Sequence, residues 1–159
     1  MTDLLQQMQE QLTLTTHWVT IVPLLLFLVG ASYTDIKTLK IKNVWTGLFF
    51  GLALLLPLIH PSISYPFILS GSVAGFVIIF IPAFLANKPM GGDIKLMAVV
   101  GAFIGPLLAL VVVIIATLLS IGFLMIQAIM KKDLQSSYPF APFIAIGYVV
   151  LIFCQFILT

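Results

Sequence analysis

Of the five acidic side chains in this chain, only Asp35 and Asp93 lie directly against long apolar segments. Asp3 and Glu10 belong to the N-terminal tail, and Asp133 sits beside Lys131 and Lys132 in a polar, solvated stretch. Asp35 follows the first apolar run, and Asp93 precedes the fourth. A charged carboxylate at the edge of lipid is costly unless it is paired or wetted. Each has an ordinary explanation. Asp35 would pair with Lys37 or other basic residues of the following loop. Asp93 would cap the helix that starts at Ile94 by accepting its first free amides. Taken together, the two fit a chemical need. Two aspartates sharing a site do not both ionise readily. One keeps its proton, and the other is a base that activates water for attack on a peptide carbonyl. The titration then belongs to the pair. Gly91 and Gly92 precede Asp93. Glycines permit positive φ and let another chain approach closely, as a substrate peptide would require. A flexible turn accounts for the glycines alone.

Apolar runs dictate the elements that must position these groups. Hydrophobic residues make up 62% of the chain and charged residues 8%. A soluble domain carries about 25% charged residues, so lipid must be the main solvent. The runs are 18–33, 44–59, 66–86, 94–104, 107–130 and 138–158. The pattern predicts an all-α, polytopic bundle of six helices. The fourth is short, about 17 Å at 1.5 Å per residue. It must be a half-depth helix or one sheltered by protein, because its backbone groups need partners. Gly105-Pro106 separates it from the fifth. Residues 1–17 read as an amphipathic or loosely ordered lead-in outside the cytoplasm, and 18–159 as one membrane-embedded domain. The lead-in has no lysine or arginine, so it is unlike a cleaved signal peptide.

All seven basic residues are lysines: Lys37, Lys40, Lys42, Lys88, Lys95, Lys131 and Lys132. With six crossings, every one falls on the same side, which the positive-inside rule makes cytoplasmic. Both termini are then extracytoplasmic, and Asp35 and Asp93 share the cytoplasmic side. His17 and His60 lie opposite and are not ligands for that site. Trp18, Trp45, Tyr65 and Tyr138 fall near helix ends, as interfacial aromatics do. Three Gly-xxx-Gly pairs, Gly47/Gly51, Gly71/Gly75 and Gly101/Gly105, let helix backbones approach. Packing within the chain is the plainer reading, and homodimerisation the sharper one. Cys154 is the one cysteine. It excludes an intramolecular disulfide and reads as a small buried apolar residue.

Three segments, in order, carry a family resemblance. They are Ser32-Tyr33-Thr34-Asp35-Ile36-Lys37 with Ile41-Lys42-Asn43; Gly91-Gly92-Asp93-Ile94-Lys95-Leu96-Met97-Ala98 running on to Gly105; and Tyr138-Pro139-Phe140-Ala141-Pro142-Phe143 with Ile146-Gly147. The sequence resembles the type IV prepilin peptidases, the GxGD class of membrane aspartyl proteases, and especially their short members that process Flp/Tad-type pilins. It departs in two places. Lys42 stands where the family has proline, and the first glycine of GxGD falls on Met90.

The resemblance implies an endopeptidase of a bacterial or archaeal cytoplasmic membrane that removes the leader of prepilin-like substrates near the cytoplasmic face. Asp35 and Asp93 would be its acid/base pair, Gly91 and Gly92 would shape the site, and Lys95 would tune the pair, contact substrate or simply snorkel to the interface. No metal or organic cofactor and no nucleic acid are implied. The larger relatives' paired CxxC motifs are absent, so the resemblance implies proteolysis without methylation by this chain. Two other classes stay open. A transporter or channel subunit would use the aspartates for ions or protons, although it has no need of Gly91-Gly92. An inactive assembly factor of a pilus or secretion machine is the other, and Met90 is its one hint.

Overall fold

A computed structural model describes Gln11, Thr13 and residues 17–87, 91–130 and 139–158. Six helices run through them: α1 (Trp18–Thr38), α2 (Asn43–Ile59), α3 (Tyr65–Leu85), α4 (Gly91–Ile104), α5 (Pro106–Ile129) and α6 (Ala141–Leu158). Three of them, α1, α3 and α5, are long and apolar enough to cross a membrane. Most of the lead-in, together with Met90, Lys88, Lys131, Lys132, Asp133 and Tyr138, lies outside the described residues.

The helices form a ring around one member. α1 packs on α2, α2 on α3, α3 on α5, α5 on α6, and α6 back on α1, while α4 contacts α1, α2, α3 and α5. This central place explains the short fourth run. Eight of the 14 residues of α4 are buried, including every one from Val99 to Ile104. A helix that is apolar all round belongs in an interior. The ring helices instead turn large apolar side chains outward: Leu85 is 76% and Ile129 78% exposed. Apolar surface on that scale calls for a bilayer.

The α3–α4 contact is the tightest. Side-chain carbons built on Gly71 and Gly75 would lie 2.0 and 2.1 Å from the carbonyl oxygens of Gly101 and Met97. Those two small-residue pairs therefore serve packing within the chain. Gly47 and Gly51 meet nothing within 4 Å.

Gly105 breaks the chain as expected. Its φ is +80°, a conformation natural only to glycine, and Pro106 then opens α5 in a position that needs no N–H. Other boundaries differ from the hydropathy pattern. Among the described residues α4 begins at Gly91, not Ile94, and Gly92 has no positive φ. Asp93 is therefore inside the first turn rather than capping it. Acidic groups suit that turn because the helix dipole is positive there. α6 begins at Ala141, since Pro139 and Phe140 stay outside it. Cys154 is exposed, not buried, because it lies on the outward face of a ring helix.

Candidate active site

The bundle has two distinct ends. At one, the rings of His17 and His60 meet with centroids 4.1 Å apart. At the other, α1 finishes, and α2, α4 and α6 begin. Asp35, Asp93, Lys37, Lys42, Asn43 and Lys95 are all found there.

Asp35 lies one turn before the end of α1, and its main-chain carbonyl accepts from Leu39 N–H at 2.8 Å, which closes the helix. The side chain is buried at 6% exposure. Its Oδ2 accepts from the main-chain N–H of Ala141 at 3.0 Å, with the Phe140 main chain as a second neighbour. Asp93 is the third residue of α4 and half-buried. The two carboxylates are close enough to interact electrostatically. The ring-and-centre arrangement thus brings together two side chains 58 residues apart in sequence.

The expected partner of Asp35 is elsewhere. Lys37 donates to Tyr33 Oη and lies over the Tyr33 ring, 4.4 Å from its centroid. A lysine two residues on points away from Asp35 around the helix, whereas i and i+4 share a face. Lys95, which is exposed, donates to Asn43 Oδ1 at 2.9 Å and ties the start of α4 to the start of α2. Ile41 is buried, and a side-chain carbon on Gly92 would meet it at 3.6 Å, ordinary contact. Among the described residues nothing lies within 4 Å of where a side-chain carbon on Gly91 would sit.

A comparison with protein families adds the deciding observation. The model of the type IV leader peptidase family matches residues 22–126, a stretch that contains both aspartates. The chain belongs to the type IV leader peptidase family. Among curated proteins and solved structures, nothing matches it significantly. Membership makes this leader-peptidase chain a membrane protease of the aspartic type. Its family match ends before α6, so the partner that α6 supplies to Asp35 falls beyond the matched residues.

Sequence reasoning missed that partner because a main-chain amide leaves no mark in residue type. The signal within reach was the pair of prolines, Pro139 and Pro142, around Phe140-Ala141. It also missed two buried hydroxyls, Ser32 Oγ and Tyr148 Oη, which have no hydrogen-bond partner among the described residues. Such orphans are uncommon. They lie on α1 and α6, the helices that the Asp35 contact joins.

Proposed function

We propose that this leader-peptidase family member cuts the leader from type IV prepilin-like proteins at the cytoplasmic face of the membrane. The observation that supports the reading is that Asp35 and Asp93 lie at the same, lysine-bearing end of the bundle, close enough for their charges to interact. Lysine placement supports a cytoplasmic position for that end, with both termini outside. A substrate with a polar leader and a hydrophobic helix would present its junction at that depth.

The reaction needs no group beyond the two carboxylates and water. One carboxylate, charged, takes a proton as water oxygen bonds to the scissile carbonyl carbon. The other, protonated, gives its proton to the carbonyl oxygen. The tetrahedral diol then collapses. The C–N bond breaks, the departing amine takes the proton gained by the first carboxylate, and a diol proton returns to the second. Both aspartates end as they began. Gly91, with no described residue within 4 Å of its missing side chain, and Gly92 would leave room for a substrate backbone. Lys95 holds the mouth of the site through Asn43.

Co-expression with a prepilin carrying a basic leader, a glycine and then a hydrophobic helix tests this. Asp35→Asn and Asp93→Asn are each expected to abolish leader removal, read as a mobility shift of the pilin. Undiminished cleavage in either variant would falsify the two-aspartate mechanism. Proton-coupled uptake without cleavage would favour a transporter.

A further inference from the structure

The start of α6 presents one spare amide, and Asp35 takes it. A helix start leaves its first amides without intrahelical partners. Here Pro142, the second helical residue, has no N–H. The N–H groups of Phe143 and Ile144 both turn back to the Phe140 carbonyl, at 3.1 and 3.3 Å. The N–H of Ala141 remains, and it donates to Asp35 Oδ2 at 3.0 Å, across 106 residues of chain. A capping side chain ordinarily bonds the second or third helical amide. Pro142 removes the one, and Phe140 occupies the other. Among the amides of the first helical turn, the carboxylate of a neighbouring helix therefore has one place to dock, with the Phe140 main chain, just outside the helix, as a second neighbour. Both partners are buried, Ala141 completely, so water does not compete for the bond.

We propose that the main-chain N–H of Ala141 is the positioning group of the cleavage site, holding the Asp35 carboxylate in place against Asp93. This rests on the leader-peptidase reading above. Asp93 differs from Asp35 in that no hydrogen bond reaches its carboxylate among the described residues. α6 thus acts on the reaction through Asp35, without touching substrate. A bond that merely fastened α6 to α1 would affect stability and leave turnover alone. A positioning bond affects turnover, because a carboxylate displaced by about 1 Å costs up to about 100-fold in rate.

The test uses the full chain in detergent with a purified prepilin. An ester at position 141, made by incorporating lactic acid in place of Ala141, removes the N–H; it also weakens the Phe140 carbonyl as acceptor for Phe143 and Ile144, an effect that the proline and glycine variants do not share. Its kcat is expected to fall roughly 10- to 100-fold, with KM unchanged and a melting temperature close to the parent's. Ala141→Pro removes the same N–H at a helix position that accepts proline and should lose kcat likewise. Ala141→Gly keeps the N–H and should recover most of what the proline variant loses. The ester decides where the proline variant does not fold. Parental kcat in the ester overturns the proposal, as does a fall in kcat matched by a fall in melting temperature. Failure of the underlying reading looks different, since Asp35→Asn would then keep parental cleavage.

Discussion

Gly71 and Gly101 cross backbone to backbone. A side-chain carbon on Gly71 would lie 2.0 Å from the Gly101 carbonyl oxygen, and one on Gly101 would lie 2.1 Å from the Gly71 carbonyl oxygen. No rotamer relieves a clash with backbone. The crossing fixes the depth of α4 against α3, and with it the height of Asp93. Gly71→Ala should therefore destabilise the protein by about 1–3 kcal/mol, read as a lower melting temperature in detergent, and should reduce cleavage as well. Gly47→Ala and Gly51→Ala, with nothing within 4 Å, should change stability by no more than about 0.5 kcal/mol. A large loss at Gly47 or Gly51 would instead reveal a helix from a second copy on that face.

Lys42 holds the backbone that a proline would hold. Its φ is −68° and its ψ is 130°, and its N–H bonds nothing among the described residues. Its carbonyl accepts from Trp45 and Thr46 at the start of α2, which proline does equally well. Ile41 before it lies outside any helix, as a residue preceding proline prefers. Lys42→Pro should thus raise stability by about 0.4–1 kcal/mol by restricting the unfolded chain. A lower melting temperature would show that the lysine contributes more than its backbone geometry does.

Lys95 and Asn43 come from segments 52 residues apart, and their hydrogen bond spans the start of α4 and the start of α2. It is exposed, so its net value is small. Lys95→Met and Asn43→Ala should each lower stability slightly. A double-mutant cycle should give a coupling of about 0.5–1 kcal/mol. Zero coupling in the melting temperatures would mean that the bond is not kept in solution.

Hydropathy made the number of helices, the Gly105-Pro106 break and the shortness of α4 legible, since each is a property of local composition. It did not reveal that α4 is central. A helix buried by other helices and one buried by lipid read alike when both are apolar. The start of α4 was misplaced because Gly91-Gly92-Asp93 looks like a loop in isolation, while packing on α3 and a favourable dipole extend the helix through it. The two aspartates stood out because charge is scarce in this chain. Which groups they would meet did not, since Asp35 pairs with a main-chain amide. The turn of Lys37 to Tyr33 was legible in principle from the i, i+4 spacing.

The end of the bundle away from the aspartates has its own long-range cap. Gly105, as N-cap of α5, has no side chain to offer the first amides, and Pro106 supplies none itself. Gln11, far upstream, fills the role: its Oε1 accepts from Leu107 N–H at 3.2 Å and from Leu108 N–H at 3.4 Å. Glycine is needed at 105 for its positive φ, so the cap must come from another segment. Gln11→Ala should cost about 1 kcal/mol, the usual price of losing an N-cap, while Gln11→Glu should retain or slightly exceed parental stability because the helix start favours negative charge. Neither change should alter kcat, since the cap lies at the opposite end of α4 from Asp93. Thermal melts and cleavage rates on the same preparations check both halves. A kcat loss in Gln11→Ala without a loss of stability would show that the two ends of the bundle are coupled.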